Sequence, residues 1–245
     1  MYLKPIGVVQ SCFKQKFGTP RQPGVVSRSV AEIVIDPIWQ PEISLEGLEQ
    51  FSHLWVIFEF HQNGKYEFHA KVHPPRLQGE SIGVFATRSP HRPNPLGLSL
   101  VKILKIFDDR VLISGVDIID QTPVYDIKPY LPQIESVPTA MAQLLEQNPE
   151  KQVQVTWLQE AQNELEKHYA LSKEIQRYGL SQLDVAGLIE DVVAQDPRPL
   201  VYRGFEGEKS PYRETHYFRL FDLDVHFRFV EARIAEITHL EAYEK

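Results

Sequence analysis

The chain has little cysteine and no long apolar run, and each shortage excludes a class of protein. Its 245 residues include one cysteine, Cys12, so neither an internal disulfide framework nor a cysteine-based zinc site can form. No apolar stretch approaches the roughly 20 residues of a membrane helix, and the first residues lack the apolar core of a signal peptide. We therefore expect a cytoplasmic protein that does not contact membranes.

Phosphate-loop and metal-ligand motifs are also missing. The sequence has no GxGxxG motif after a strand, so a Rossmann-type cofactor site is not expected. The nine histidines are spread along the chain. His69 and His73 have a helical ligand spacing, but the prolines that follow make this stretch extended. No metal is expected.

Acidic residues are absent from two segments, although the net charge of the chain is −7. Residues 1–31 contain five basic residues, and residues 81–107 contain four. The acidic surplus belongs to residues 141–245, with 19 acidic and 12 basic residues. The two basic segments either form one positive patch for a phosphate-rich partner or are segregated by chance on a solvated surface.

Short runs of β-branched and aromatic residues, separated by turn residues, dominate residues 1–137. They predict a mainly β domain, a single-sheeted β-barrel of about seven strands. Residues 138–245 add helical periodicity and predict a small α+β C-terminal domain. Its predicted strands are 153–157, 201–202, 215–221 and 225–237.

Two proline-rich segments are the most unusual stretches. GVFATRSPHRPNPLGLS (83–99) contains three prolines that fix backbone angles. It predicts a stiff loop that presents Arg88 and Arg92 for binding, or else a proline-rich surface connection. DQTPVYDIKPYLP (120–132) is predicted to be a second stiff polar loop.

Several residues have more than one interpretation. Phe13 and Phe17 alternate with lysines and can stack on bases or anchor their loop to the core. Cys12 is either a nucleophile or a buried side chain. Asp126 and His53 are candidates for general acid–base chemistry, but the sequence pairs neither with a partner.

Four segments together resemble the TsaA-like family: FGTPRQPG (17–24), FSHLW (51–55), GVFATRSPHRPNPLGLS (83–99) and TPVYDIKPYLP (122–132). The resemblance covers about residues 1–135, and the remainder looks like the bacterial form. It implies S-adenosylmethionine-dependent tRNA methyltransferases built on a single-sheeted β-barrel. Such enzymes methylate the exocyclic nitrogen of threonylcarbamoyladenosine at position thirty-seven of threonine-accepting tRNA. They work as homodimers with the cofactor near the subunit interface.

The resemblance also implies site residues. Candidates for base orientation or proton transfer are Asp126, Lys128 and Tyr130, and the alternative is that they pin the loop at the strand end by hydrogen bonds. Candidates for phosphate contact in tRNA are Lys14, Lys16, Arg21, Arg76 and Arg92. Candidates for S-adenosylmethionine binding are Ser11, Cys12, Phe13, Ser52, His53, Arg88, Leu98, Asp120, Gln121, Thr122 and Pro123.

The chain departs from the family pattern at two of these positions. Cys12 stands where relatives often have proline, and Gln121 stands where they often have glycine. Two other classes stay open: a non-catalytic RNA- or nucleotide-binding barrel, and a hydrolase using Cys12 or a histidine.

Overall fold

The computed structural model describes residues 2–64, 68–77, 79–149, 152–199 and 214–243. The strands in this part are β1 (Gly7–Ser11), β2 (Val30–Ile35), β3 (His53–Glu59), β4 (Lys71–Val72), β5 (Ile82–Gly83), β6 (Leu96–Ile106), β7 (Arg110–Ser114), β8 (Thr122–Pro129), β9 (Gln154–Trp157), β10 (Thr215–Leu220), β11 (Leu223–Glu231) and β12 (Ile234–Ala242). The α-helices are α1 (Pro41–Ser44), α2 (Pro132–Glu135), α3 (Gln143–Gln147), α4 (Gln159–Leu171), α5 (Lys173–Arg177) and α6 (Gln182–Ala194). None of these helices is long and apolar enough to cross a membrane.

The chain forms two compact units, and each unit is built from segments that are not consecutive in the sequence. The first unit contains Met1–Gln10, Glu32–Ile113 and Gln121–Glu150. The second contains Ser11–Ala31, Ser114–Asp120 and Lys151–Lys245. The loop after β1 and the segment before β8 therefore pack with the C-terminal part of the chain.

Six strands close into a barrel in the order β1-β2-β7-β6-β3-β8. The predicted mainly β fold with a smaller α+β part is confirmed, although the barrel has one strand fewer than expected. The apolar run 82–86 does not join the barrel, and only the two residues of β5 in it are strand. Its remainder, Val84–Ala86, forms a 3₁₀ turn.

Alternation along β3 builds the barrel core. Leu54, Val56 and Phe58 are buried, whereas the residues between them are partly exposed. This is the pattern of a strand with one face inward. Gly97 of β6 lies opposite Phe58, and a Cβ atom at this position would overlap the Phe58 ring.

The prediction of a polar loop at 120–132 is wrong, because most of this segment is strand β8 (Thr122–Pro129). Pro123 is near the start of the strand and Pro129 is its last residue. Proline lacks the amide hydrogen of a sheet ladder, but it is tolerated near strand ends. Asp126 and Lys128 lie opposite Ile57 and Trp55 on the outward face of the sheet, so their polarity marks a strand face and not a loop.

The second unit contains a four-stranded sheet in the order β10-β11-β12-β9. The first three strands are antiparallel, and β9 is parallel to β12. Helix α6 begins with a capping box in which Ser181 and Asp184 bond each other's backbone amides. The predicted strand at 201–202 lies outside the described residues. The buried side chains of this unit include Phe13, Leu188, Ile189, Phe218, Leu220 and Phe227.

Candidate functional site

Several predicted site residues of the first unit lie on one outward face, which is formed by β8, β3 and β6. Asp126 lies opposite Ile57, and Lys128 lies opposite Trp55. Tyr130 continues the alternation just beyond β8, and its amide donates to the His53 carbonyl oxygen at 3.0 Å. All three candidates for proton transfer therefore share one face of the sheet.

The β6 side of this face is apolar. Leu98 lies opposite Ile57, and Leu100 lies opposite Trp55. Leu98 is 56% exposed and Leu96 is 37% exposed. We call this face, defined by residues of β8, β3 and β6, the outer barrel face. It places polar groups on β8 beside an apolar surface on β6.

Short contacts position the polar side chains of the outer barrel face. Lys128 Nζ is 3.1 Å from Asp126 Oδ2. The Tyr130 ring meets the Trp55 ring edge to face, with centroids 6.0 Å apart. Ser52 Oγ is 2.8 Å from His53 Nδ1. Because the Tyr130 amide bonds the His53 carbonyl oxygen, Ser52 and His53 lie at the same end of the face as Tyr130.

Sequence reasoning missed a polar pair next to this face. The register of β8 against β3 shifts between Ile57 and Phe58, and such a bulge re-aims a side chain. The Tyr125 hydroxyl donates to Glu59 Oε2 at 2.6 Å. This bond, helped by burial, raises the pKa of Tyr125 to about 12. Tyr125 lies in a proline-rich segment that the sequence singles out, but the sequence does not reveal the bulge beside the pair.

The loop before β6 is tied to itself by side-chain hydrogen bonds. Arg92 Nη1 donates to the carbonyl oxygens of Thr87 at 2.8 Å and Val84 at 3.3 Å. The Thr87 hydroxyl donates to the Val84 carbonyl at 2.8 Å, and Asn63 donates to the Pro90 carbonyl at 2.8 Å. This agrees with the stiff loop expected from its prolines. Arg88 is exposed, whereas Arg92 is folded back onto its own loop.

The start of β8 has an unusual backbone. Gln121 has a φ of 62°, in the left-handed region that favours glycine. Its amide donates to the Val9 carbonyl at 2.8 Å. Thr122 is buried, with Oγ1 3.2 Å from His61 Nδ1, and Pro123 lies opposite Val8 of β1. The position at which relatives often have glycine thus keeps the conformation that glycine adopts.

In the second unit, the residues after β1 are buried. Ser11, Cys12 and Phe13 are at most 1% exposed. The Ser11 amide donates to Asp120 Oδ1 at 2.7 Å, and the Asp120 amide donates to the Phe13 carbonyl at 2.8 Å. These bonds hold the 11–13 segment against Asp120.

The Cys12 thiol is not set up as a nucleophile. Its burial raises its pKa to about 12, against smaller opposing effects of the Val30 hydrogen bond and the Lys14 charge. A nucleophilic cysteine needs a lowered pKa and access to a substrate. The buried-side-chain interpretation of Cys12 is therefore the one that the structure supports.

Both phenylalanines of the segment 11–24 pack against the second unit, Phe13 fully buried and Phe17 partly exposed. Phe13 is 1% exposed, and the Phe17 ring stacks with those of His216 and Phe227 at 6.3 Å. Gly18 follows with a φ of 90°, and a Cβ atom there would lie 2.7 Å from Phe218. The loop is thus anchored through its aromatic residues, which favours core packing over base stacking.

Basic residues of the 1–31 segment meet carboxylates of the acidic part of the chain. Lys14 Nζ is 2.6 Å from Glu174 and 3.3 Å from Asp120. Arg28 is 2.7 Å from Asp191, which raises the pKa of this guanidinium. The positive field expected from the sequence is thereby weakened in this segment, because its charges are compensated locally.

The other residues predicted to contact tRNA are divided between the two units. Lys16 and Arg21 are exposed, and Arg21 Nη2 donates to the Asp196 carbonyl at 3.3 Å. Arg76 is partly exposed in a 3₁₀ turn of the first unit. Within the first unit, therefore, the predicted tRNA contacts are Arg76 and Arg92.

The chain matches two family descriptions. Residues 8–136 match the tRNA-methyltransferase O (TrmO) N-terminal domain, and residues 150–243 match the TrmO C-terminal domain. The chain belongs to the TrmO family. This confirms the resemblance seen in the four sequence segments.

Relatives of similar length support the TrmO assignment. The chain is 39% identical to a tRNA (adenine(37)-N6)-methyltransferase of Escherichia coli K12, with 93% of this chain and 92% of the relative covered. It is 38% identical to a putative S-adenosylmethionine-dependent methyltransferase, RcsF, of Pseudomonas aeruginosa, with the same coverage. A mouse tRNA (adenine(37)-N6)-methyltransferase is 54% identical over 135 residues, but the match spans only 31% of its length.

Solved TrmO structures have the same fold. A TrmO crystal structure aligns with a TM-score of 0.77 at 34% identity and covers 99% of both chains. A Pseudomonas aeruginosa TrmO structure aligns with a TM-score of 0.78 at 33% identity and covers 99% of this chain and 98% of its own.

Proposed function

We propose that this protein transfers a methyl group from S-adenosylmethionine to the exocyclic N6 of adenine 37 in tRNA. The finer proposal is that the adenine carries a threonylcarbamoyl group and that the tRNA accepts threonine. We infer the reaction class from family membership and from the named methyltransferase relatives. The roles proposed for Asp126, Lys128 and Tyr130 rest on the outer barrel face, because it groups these three polar side chains beside an apolar surface. Since the substrate is tRNA, we place the protein in the cytoplasm.

The proposed cofactor residues of the first unit offer groups that suit S-adenosylmethionine. The exposed Arg88 guanidinium can pair with the methionine carboxylate of the cofactor. Leu98 provides an exposed apolar side chain, and Ser52 and His53 provide polar groups hydrogen-bonded to each other. The residues proposed in this unit are Ser52, His53, Arg88, Leu98, Gln121, Thr122 and Pro123.

The proposed cofactor residues of the second unit act differently. Ser11, Cys12 and Phe13 bury their side chains, so their proposed role is to set the path of the chain next to β1. The carboxylate of Asp120 accepts from the Ser11 amide at 2.7 Å and contacts Lys14. It thereby holds the backbone that precedes Gln121. We propose residues 1–137 as the cofactor-binding catalytic domain and 138–245 as the C-terminal domain.

The bound cofactor supplies an electrophilic methyl carbon on its sulfonium. Residues such as Arg88 and Leu98 would hold the cofactor so that its methyl group could pass to adenine N6, which would lose a proton, while the cofactor would leave as the thioether. The chain's task is to align the base and accept that proton. Asp126 and Tyr130 are the proposed groups for these roles. Lys128 holds the Asp126 carboxylate through a 3.1 Å contact, so we propose it as a positioning residue.

Phosphate contacts of the tRNA are assigned to Lys14, Lys16, Arg21, Arg76 and Arg92. Arg92 donates to the carbonyl oxygens of Thr87 and Val84, which carry no net charge to offset that of its guanidinium. Lys14 is already paired with two carboxylates, so a phosphate must compete for its ammonium group. We therefore expect Arg92 to contribute more than Lys14 to tRNA affinity.

The exposed leucines of β6 support a homodimer. Leu96 and Leu98 are neighbours on one side of the strand and are 37% and 56% exposed. An apolar strip of this kind is typical of a surface that another chain covers. We propose that a second copy covers the β6 side of the outer barrel face.

Calorimetric titration with S-adenosylmethionine and S-adenosylhomocysteine tests the proposal. We expect binding of both, a cofactor affinity at least about tenfold weaker in Arg88→Ala, and near wild-type cofactor affinity in Arg92→Ala. The tRNA affinity of Arg92→Ala should fall. Absence of binding to either cofactor contradicts the enzyme proposal and favours a non-catalytic RNA-binding barrel.

A further inference from the structure

Phe85 presents an exposed aromatic ring on a short turn of the first unit. It lies in the 3₁₀ turn Val84–Ala86, directly after β5, and its side chain is 73% exposed. The neighbouring Val84 is 1% exposed, so Val84 anchors the turn in the core while the Phe85 ring lies outside it. A single exposed apolar side chain is ordinary on a protein surface, but the way in which this ring is held and the charges around it are not.

The backbone beneath the ring is held by a set of hydrogen bonds. The Val84 amide donates to the Ala70 carbonyl oxygen at 2.9 Å, and the Thr87 amide donates to the Val84 carbonyl oxygen at 3.1 Å. The same Val84 oxygen accepts from the Thr87 hydroxyl at 2.8 Å and from Arg92 Nη1 at 3.3 Å. These bonds fix the chain on both sides of Phe85, so binding through its ring costs little additional ordering of the backbone.

The Arg92 guanidinium lies over the Phe85 ring, with its Cζ atom 5.7 Å from the ring centroid. This distance is within the range of a cation–π contact. The guanidinium is itself fixed by the carbonyl oxygens of Thr87 and Val84, so the ring and the guanidinium form one preorganised pair. Most of the ring stays accessible to solvent despite this contact. We call the two side chains the Phe85–Arg92 platform.

The segments around the Phe85–Arg92 platform carry an excess of positive charge. Residues 68–77 and 79–96 together contain four lysines and arginines and one acidic residue. Lys71 of β4 is exposed and lies opposite Gly83, the residue of β5 that directly precedes the turn. An accessible aromatic ring within a positive segment suits a single-stranded nucleic acid, because its bases stack on the ring while its phosphates meet the cations.

We propose that the Phe85–Arg92 platform stacks on an unpaired nucleobase of the tRNA anticodon loop. The inference rests on the proposed function, which supplies the tRNA, and it adds a base contact to the proposed phosphate contacts. Phe85 is three residues from Arg88, the residue proposed to hold the cofactor carboxylate, so the stacked base should lie near adenine 37 in the loop. The sequence suggests Phe13 and Phe17 for base stacking, but these rings pack against the second unit, whereas the Phe85 ring is accessible.

Equilibrium binding of tRNA to the full chain, measured at several salt concentrations, tests the proposal. Phe85→Ala should weaken tRNA affinity by about fivefold to a hundredfold, the usual effect of losing one stack between a base and an aromatic ring. The slope of log affinity against log salt should stay at its wild-type value, because stacking releases no counterions. Arg92→Ala should instead reduce that slope by about one. Phe85→Tyr keeps an aromatic face, so its tRNA affinity should stay within about threefold of the wild type.

Ile38→Ala is the matched control. Ile38 lies in another 3₁₀ turn of the first unit, Pro37–Trp39, and is 71% exposed. Its loss removes an equally exposed apolar side chain and should leave tRNA affinity unchanged. Calorimetry should give the same S-adenosylmethionine affinity for the wild type and Phe85→Ala, because the ring is assigned to the RNA. Circular dichroism checks that the variants fold, and Phe85→Leu serves if Phe85→Ala does not.

Three results overturn the stacking proposal alone. The first is a wild type that binds tRNA together with equal tRNA affinities in Phe85→Ala and Ile38→Ala. The second is a Phe85→Ala variant that loses cofactor affinity but keeps tRNA affinity, which assigns the ring to the adenine of the cofactor. The third is a Phe85→Ala variant that sediments as a smaller species than the wild type, which assigns the ring to a second copy of the chain. A wild type that binds no tRNA overturns the proposed function as well.

Discussion

Tyr125 and Glu59 are joined across β8 and β3, with the tyrosine hydroxyl donating to Glu59 Oε2 at 2.6 Å. This bond is the main cause of the raised pKa of Tyr125, which is about 12 and not the ordinary 10.0. Glu59→Gln removes the charge, so the pKa should fall toward its ordinary value. An ultraviolet titration of tyrosinate measures the change, with Tyr125→Phe as the control that identifies the signal.

The same pair makes stability depend on alkaline pH. A folded-state pKa above the unfolded value means that the pair stabilises the fold fully below pH 10 and loses its effect as pH rises through about 12. The loss of unfolding free energy across this window should be smaller in Tyr125→Phe. An identical decline in both proteins contradicts the assignment.

Cys12 should be unreactive in the folded protein. Its thiol is buried and has a pKa of about 12, so almost no thiolate is present at pH 8. We expect iodoacetamide to label Cys12 only after unfolding, as read by mass spectrometry. We also expect Cys12→Ala to keep methyl transfer within about twofold while losing about 1 kcal/mol of stability. Rapid labelling of the native chain, or abolished activity in a folded Cys12→Ala variant, would revive the hydrolase hypothesis.

Replacing Gln121 with glycine should stabilise the folded protein. Its φ of 62° strains any residue with a Cβ atom, at a cost of about 1 kcal/mol. Gln121→Gly should raise the free energy of unfolding by about 1 kcal/mol in a urea titration. Gln121→Ala loses the same side-chain contacts but keeps the strain, so it should not be stabilised. Equal behaviour of the two variants argues against backbone strain at this position.

Gly97 should not tolerate a side chain. A Cβ atom there would overlap the Phe58 ring inside the barrel, so Gly97→Ala should lower the free energy of unfolding by about 1–3 kcal/mol. Gly83→Ala is the matched control, because nothing lies within 4 Å of a Cβ atom at that position. Thermal unfolding of both variants compares them, and an unchanged Gly97→Ala melting temperature contradicts the packing described for β6.

Local patterns predicted the barrel strands well where one face is buried. The alternation of Leu54, Val56 and Phe58 with outward residues is visible in the sequence, and β3 follows it. The segment 120–132 was misread because its prolines signal a loop, whereas they occupy permitted positions in β8. Proline content alone does not show whether a proline belongs to a loop or lies near the end of a strand.

Relationships between distant segments were not predictable. The pairing of Lys14 with Glu174 and of Tyr125 with Glu59 depends on packing and on a register shift. Residue type suggested that Lys14 meets a phosphate, but its carboxylate partners come from elsewhere in the chain. Sequence reasoning could name the segments of the candidate site, while the direction of each side chain had to come from the structure.

The most direct measurement is nucleoside mass spectrometry after incubating the purified protein with isotopically methyl-labelled S-adenosylmethionine and two tRNA samples. One sample carries threonylcarbamoyladenosine, and the other has unmodified adenine at the same position. We predict that the labelled methyl group appears on the N6 of threonylcarbamoyladenosine and that Asp126→Asn or Tyr130→Phe slows its appearance. Label on neither nucleoside contradicts the proposed reaction, whereas label on unmodified adenine alone contradicts only the proposed substrate.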